Sequence, residues 1–155
     1  KFVIAPHEMD EGRIARLLGE TRGGGIRYTR CTPQSDFKGT QLLVLDTVGI
    51  LSSVYGYASW SYIGGGFGVG IHNTLEAATF GLPLAFGPNY QKFKEARDLV
   101  TLGAAQPVTT YEELRDWFTP LRTDEELLRK TSRIAKDYTT RHQGATNIIV
   151  KTIFQ

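Results

Sequence analysis

The stretch YIGGGFGVGIHNTLEAATFGLPLAFGPN, at residues 62–89, contains two strand-like runs joined by a helix-like run. The apolar run that begins at Trp60 ends in five glycines between Gly64 and Gly70, and apolar residues then recur at helical spacing as far as the strand-like PLAF. Strands separated by a helix-length segment pair in parallel, through a right-handed crossover. The stretch therefore predicts a βαβ unit with a glycine-rich loop where the first strand enters the helix.

The same alternation of short apolar runs and helix-length segments continues on both sides of this unit. Strands are predicted at residues 2–5, 26–29, 41–46, 60–63, 83–86 and 104–108. Helices are predicted from a cap at Asp10 and at residues 47–57, 73–80, 90–102, 110–118, 124–141 and 143–154. The pattern predicts one doubly wound α/β domain over residues 1–155, a Rossmann-like parallel sheet covered by helices on both faces. A ligand of such a sheet lies at the carboxyl ends of its strands.

Composition limits the classes of protein to which the chain can belong. Hydrophobic residues make up 41% and charged residues 22% of the 155 residues, which is typical of a globular domain. A net charge of +2 does not indicate nucleic-acid binding, and the single cysteine excludes an internal disulfide. No apolar run is long enough to span a membrane, so we expect a soluble chain. It opens directly into a strand without an initiator Met, and we expect it to be a fragment of a longer protein.

Five glycines in one loop indicate that the main chain there comes close to another group. Main-chain N–H groups at the end of a strand, beside a helix N-terminus, favour a bound phosphate. The loop is not a P-loop, because Gly70 precedes Ile71 and His72 rather than Lys and Ser or Thr. It is also not the dinucleotide fingerprint, which follows the first strand of a sheet. The sequence thus predicts a phosphate-binding loop in preference to a merely tight turn.

Several polar side chains beside this loop each allow two interpretations. Asn73 and Glu76 have the spacing of a capping box, but Glu76 in the first helical turn is also placed to accept both hydroxyls of a ribose. His72 either donates to a phosphate or is a loop residue without a role. Asn89 and Gln91, after the next strand, are candidates to contact a sugar or phosphate, and Asn89 is equally a helix cap. Spacing alone leaves these alternatives open.

Three segments together resemble one family of enzymes. GGGFGVGIHNTLEAATFGLPLAFGPNYQKFKEA, at residues 64–96, closely resembles the bacterial Kdo transferases, the 3-deoxy-D-manno-octulosonic acid transferases that act on lipid A. DTVGILSSVYGYA at residues 46–58 and IAPHE at residues 4–8 match two further blocks of that family. The resemblance covers nearly the whole chain but corresponds only to the second half of such enzymes. It implies the C-terminal, donor-binding lobe of a two-lobed GT-B glycosyltransferase.

The resemblance also implies an activity. The family transfers Kdo from CMP-Kdo to a lipid A precursor in lipopolysaccharide core biosynthesis, at the cytoplasmic face of the bacterial inner membrane. The catalytic carboxylate and the contacts with acceptor and membrane would then belong to the N-terminal lobe, so we expect this chain to be inactive alone. By resemblance, the residues that face the nucleotide sugar are Gly65, Gly66, Ile71, His72 and Asn73 at the phosphate, Glu76 at the ribose, and Asn89 and Gln91 at the sugar.

No metal ion or other cofactor is predicted. No Asp-x-Asp pair occurs in the chain, and the three histidines are scattered at His7, His72 and His142. A metal-dependent transferase needs a cluster of carboxylates to hold its cation beside the phosphates. We therefore expect the positive potential at the phosphate to come from main-chain N–H groups, the helix terminus and His72.

Two other classes of protein remain as alternatives. The donor lobe of another GT-B glycosyltransferase, one that uses a UDP-sugar, would share the fold and the loop but differ in its base pocket. A receiver-like signalling module would place a phospho-acceptor where Asp46 ends the third predicted strand. The receiver is the weaker alternative, because His7 stands where its acidic pair should follow the first strand and no lysine ends the fifth.

Overall fold

The computed structural model describes residues 1–154, with the main chain alone at residues 145–148. The chain divides into two units, Lys1–Val54 and the part that begins at Tyr55. Each unit contains one parallel sheet of three strands, so the six strands form two sheets where the sequence pattern predicts one. The α/β class with parallel strands is confirmed. The single domain over residues 1–155 stays a prediction.

In the first unit, the middle strand of the sheet contributes two of the three buried residues of the core. The elements are β1 Phe2–Ile4, α1 Glu11–Glu20, β2 Gly25–Arg27, β3 Leu42–Val44 and α2 Leu51–Val54, with a 3₁₀ turn at Tyr28–Arg30. The strand order is β1-β3-β2. Asp10 caps α1 as predicted, because its side chain accepts a hydrogen bond of 2.7 Å from the amide of Arg13. Ile14, one turn into the helix, is then buried against Leu42 and Val44.

The second unit has the same parallel architecture with more helices. Its elements are a 3₁₀ turn Tyr55–Tyr57, β4 Ser61–Ile63, α3 Leu75–Thr79, β5 Leu84–Phe86, α4 Lys94–Leu102, β6 Ala105–Pro107, α5 Tyr111–Thr123, α6 Glu125–Arg141 and α7 Ala145–Phe154. The strand order is β4-β5-β6, with Ile63 opposite Phe86 and Phe86 opposite Pro107. The connections that leave β4 and β5 therefore start side by side at the carboxyl edge of the sheet.

The core of the second unit surrounds β5. All three residues of that strand, Leu84, Ala85 and Phe86, have no exposed surface. The buried face of α3 presents Ala77 and Ala78, whose small side chains let the helix approach the sheet closely. A strand that is apolar on both faces is typical of the centre of a parallel sheet. The loop after β4 and the loop after β5 therefore both start at or beside a fully buried strand.

The helices α2 and α4 both begin later than the sequence pattern predicts. The predicted helix at residues 47–57 is reduced to α2 and the 3₁₀ turn, because Gly49 has a φ of +89°, which a right-handed helix does not allow. The predicted helix at residues 90–102 begins only at Lys94, since Phe93 before it is extended. The amide of Asn89 donates to the carbonyl of Gly66 instead of forming part of a helix. The extended main chain at Phe93 thus marks the start of α4.

Candidate nucleotide-binding site

The glycine-rich loop leaves β4 and forms a narrow hairpin before α3. The amide of Gly66 donates to the carbonyl of Gly70 over 2.7 Å, and the amide of His72 donates to the carbonyl of Gly64 over 3.0 Å. These two bonds place Gly65 opposite Ile71 in an isolated antiparallel bridge. The loop therefore has two paired arms, and residues 67–69 form its tip.

Close contacts between main-chain segments explain two of the five glycines in the loop. Gly65 and Gly66 have φ values of +87° and +84°, which residues with a side chain rarely adopt. A Cβ atom on Gly65 would collide with the carbonyl oxygen of Gly70, and one on Gly66 would lie 2.8 Å from the main chain of Gly87. A Cβ atom on Gly87 would lie 2.6 Å from the carbonyl oxygen of Gly65. Packing within the protein therefore requires the absence of a side chain at Gly65, Gly66 and Gly87, whereas no heavy atom lies within 4 Å of a Cβ position on Gly68.

Asn89 joins the loop after β5 to the glycine-rich loop. Its amide donates to the carbonyl of Gly66 over 2.9 Å, and its side-chain Nδ2 donates to the carbonyl of Gly68 over 3.0 Å. Because α4 begins at Lys94, Asn89 does not cap that helix, and this alternative was wrong. Gly87 was not predicted to belong to the site, although a glycine directly after a buried strand is a signal of close main-chain approach.

The main-chain amides of the predicted phosphate site divide into two groups. Those of Gly66 and His72 point into the hairpin and are already bonded. Within the described part of the chain, the amides of Gly65 and Ile71 donate to no main-chain carbonyl, and in such a bridge they point away from the opposite arm. The side chain of Ile71 is buried in the core, so only its amide is available to a ligand. Two N–H groups remain that suit an anion.

The start of α3 brings together Asn73 and Glu76. Asn73 Oδ1 accepts from the amide of Leu75 over 3.0 Å, and Asn73 Nδ2 donates to Glu76 Oε1 over 2.9 Å. Glu76 does not reach a main-chain amide, so the reciprocal capping box does not form. Both side chains are exposed, and among the described residues no group donates to Glu76 Oε2. With only five residues, α3 also supplies less dipole than the predicted helix of residues 73–80.

The two remaining predicted residues lie at the edge of this arrangement. The His72 ring lies beside Gly64, at 3.4 Å from the position of a Cβ atom there, and the residue is exposed. Gln91 is exposed, and its main-chain carbonyl accepts from Arg97 Nη1 over 3.1 Å. All eight predicted residues therefore lie on two neighbouring loops and the first turn of α3, but direct contacts join only some of them.

The described residues contain neither a cluster of metal-ligating side chains nor a helix that could span a membrane. Across residues 1–154, no group of three or more His, Cys, Asp or Glu side chains is placed to hold a metal ion. No helix in this part of the chain combines the length and the apolar composition needed to cross a bilayer.

Asp46, the residue of the receiver alternative, is a structural carboxylate at the end of β3. Its side chain is 1% exposed, and it accepts hydrogen bonds from Arg27 Nε over 2.6 Å and from the amide and hydroxyl of Thr29 over 2.9 and 2.5 Å. Burial alone would raise the pKa of Asp46, but these bonds hold it well below its usual range. Arg27 is also paired with both oxygens of Glu11. A buried carboxylate with these partners is a poor phospho-acceptor, which argues against the receiver alternative.

The network around Asp46 predicts acid sensitivity of the first unit. A lowered pKa in the folded state means that the unfolded chain binds a proton more readily, so stability is complete above the unfolded pKa of about 3.9 and is lost as the pH falls toward the folded value. Asp46→Asn should lower the melting temperature at pH 7 by several degrees and flatten its dependence between pH 5 and pH 2. Thermal unfolding followed by circular dichroism measures both effects. Asp36→Asn, at an exposed loop position, is the control, and an equal effect there would contradict the prediction.

The fold is similar to that of a solved nucleotide-sugar-binding domain. The crystal structure of the C-terminal CMP-Kdo binding domain of WaaA from Acinetobacter baumannii matches with a TM-score of 0.63 and 22% identity, over 73% of this chain and 59% of that one. The parallel strands, the helices and this match define the class of the protein. It has the α/β fold of the C-terminal lobe of a GT-B glycosyltransferase.

Sequence similarity identifies the relatives more closely. The chain is 33% identical over 108 residues to the 3-deoxy-D-manno-octulosonic acid transferase of Chlamydophila psittaci, which covers 67% of this chain and 24% of the relative. It is 35% identical over 91 residues to that of Chlamydia trachomatis serovar D and 38% identical over 74 residues to that of Rickettsia bellii, covering 57% and 47% of this chain. No family model matches the sequence. The predicted resemblance is confirmed: the chain is a homologue of the Kdo transferases.

The similarity extends over only part of those relatives. The chain spans 24%, 20% and 18% of the lengths of the three transferases.

Proposed function

We propose that the chain is the donor-binding lobe of a Kdo transferase and binds CMP-Kdo. The observation that carries this proposal is the sequence similarity to three Kdo transferases, which reaches 67% of the chain. The fold supports it, because the similar solved domain is a C-terminal CMP-Kdo binding domain. The relatives do not favour the UDP-sugar alternative, since all three are named as Kdo transferases.

The proposed site uses the two loops at the carboxyl ends of β4 and β5. The amides of Gly65 and Ile71 are the donors that remain for the phosphate of CMP, and the hairpin bonds of Gly66 and His72 hold them in place. Exposed His72 and Asn73 border the same position. Glu76 Oε2 remains to accept from a ribose hydroxyl, since Asn73 occupies only Oε1.

The sugar end of CMP-Kdo is assigned to the loop after β5. Gln91 is exposed there and is proposed to border the Kdo sugar, while Asn89 lies between it and the glycine-rich loop. The site would thus hold the phosphate on one loop and the sugar on the next. This division agrees with the general position of ligands in parallel α/β sheets.

The wider reaction is also part of the proposal. The whole enzyme would transfer Kdo to a lipid A precursor in lipopolysaccharide biosynthesis, at the cytoplasmic face of the bacterial inner membrane, without a metal ion. The acceptor and the membrane would contact a lobe outside this chain. Its short coverage of the relatives supports this division, and we expect the chain alone to have no transferase activity.

Differential thermal stabilisation by nucleotides tests the proposal. CMP at about 100 times its dissociation constant should stabilise the chain by about 2.7 kcal/mol, because a ligand that binds only the folded state shifts the unfolding equilibrium. UDP, GDP and cytidine without phosphate should give little stabilisation at the same concentration, and EDTA should leave the CMP effect unchanged. Stabilisation by UDP and not by CMP would contradict the assignment of the base, and loss of the effect in EDTA would contradict metal independence.

A further inference from the structure

Asn89 is the side chain that connects the two loops of the proposed site. It is 21 residues from Gly68 in the sequence, yet its Nδ2 donates to the carbonyl of Gly68 at the tip of the hairpin over 3.0 Å. Its own amide holds the carbonyl of Gly66 on the same arm. One residue of the loop after β5 therefore fixes two carbonyl groups of the loop after β4.

The tip of the hairpin depends on such bonds because its side chains contribute little packing. Phe67 and Val69 are 60% and 104% exposed, and no heavy atom lies within 4 Å of the position of a Cβ atom on Gly68. Burial of apolar surface, which fixes most loops on a core, is therefore small at the tip. The hydrogen bond from Asn89 is an alternative means of holding it, with a typical net contribution of about 1 kcal/mol.

We propose that Asn89 is a positioning residue that sets the conformation of the phosphate-binding hairpin through its bond to Gly68, and not a direct ligand of the sugar. This inference rests on the proposed function, because it assumes that the hairpin binds the phosphate of CMP. One of the two N–H groups of the Asn89 side chain is engaged within the protein, by the carbonyl of Gly68. The amides of Gly65 and Ile71 keep their orientation only while the hairpin does.

Hydrogen exchange of the ligand-free protein tests directly whether the bond from Asn89 to Gly68 holds the hairpin. Asn89→Ala removes the donor, and Asn89→Asp keeps the shape but cannot donate at neutral pH. In both variants the amides of Gly66 and His72, which close the hairpin, should exchange roughly fivefold faster or more. Gln106→Glu makes the same kind of change on β6, where Gln106 Nε2 donates to the carbonyl of Pro107, and should leave that exchange unaltered. Unchanged exchange in Asn89→Ala would overturn the proposal.

CMP affinity then separates a positioning residue from a sugar ligand, because CMP has no sugar to contact beyond its ribose. Both Asn89 variants should bind CMP up to about fivefold more weakly than the wild type, and the melting temperature should fall by no more than a few degrees. The ratio of the Asn89→Asp dissociation constant to that of the wild type should fall toward one below about pH 4, where a protonated carboxyl can donate to Gly68. Wild-type affinity for CMP in Asn89→Ala would overturn the positioning role. Failure of the wild type to bind CMP would instead contradict the proposed function. The exchange rates would still show whether Asn89 holds the hairpin.

Discussion

Gly66→Ala should abolish measurable CMP binding and also destabilise the second unit. Gly66 is buried with a φ of +84°, and a Cβ atom there would lie 2.8 Å from Cα and C of Gly87 and from Cγ2 of Ile71. Two of these atoms are main chain and cannot rotate away, so the loops must separate. Left-handed strain of about 1–2 kcal/mol and overpacking of about 1–3 kcal/mol give an expected loss of roughly 2–5 kcal/mol.

Calorimetric titration measures the affinity for CMP, and denaturant unfolding measures the stability. Two other glycines serve as controls. Gly68→Ala should change neither, because no heavy atom lies within 4 Å of that position. Gly87→Ala should reproduce the defect of Gly66→Ala, since its Cβ atom would lie 2.6 Å from the carbonyl oxygen of Gly65. Normal CMP affinity in Gly66→Ala would contradict a binding role for this hairpin, and an equal defect in Gly68→Ala would contradict the packing explanation.

Glu76→Gln should weaken CMP binding by about 10- to 100-fold without loss of stability. Charge-assisted hydrogen bonds contribute about 1.5–3 kcal/mol, and a neutral amide accepts the ribose hydroxyls less strongly than a carboxylate. The Gln oxygen can still accept from Asn73 Nδ2, so the local structure at the start of α3 should persist. Titration with CMP, together with the melting temperature of the free protein, provides the measurement.

The matched control for Glu76→Gln is Glu112→Gln, which removes an exposed glutamate from the first turn of α5. It makes the same change of charge away from the proposed site and should leave CMP affinity within about twofold. If Glu76→Gln lowers the melting temperature and leaves the affinity unchanged, Glu76 serves only to orient Asn73. That result would remove Glu76 from the ribose site.

Local sequence patterns predicted much of the architecture correctly. The apolar runs located all six strands, with errors of one or two residues at their ends. The side chains of Asp10 and Asp124 cap helices where the pattern places their starts. These features are predictable because strand periodicity and helix capping depend on residues within a few positions of one another.

The candidate site was predicted less completely. Its eight residues do lie on the two neighbouring loops and α3, as the position of ligands in such sheets suggests. The roles within the site differ, because Asn89 bonds to Gly68 and the side chain of Ile71 is buried. Asn73 and Glu76 have the spacing of a capping box, but Glu76 accepts from the side chain of Asn73 and not from a main-chain amide. The helix predicted from residue 90 begins only at Lys94.

The sequence by itself determined that parallel strands alternate with helices, that the loop after β4 has no side chain at five positions, and that the chain resembles the Kdo transferases. Only the tertiary structure decided why Gly65 and Gly66 must lack a side chain. The pairing of β4 with β5 brings Gly66 against Gly87 and Asn89 against Gly68. Such contacts join two strands and loops that are far apart in the chain, whereas the spacing rules used on the sequence relate residues only a few positions apart.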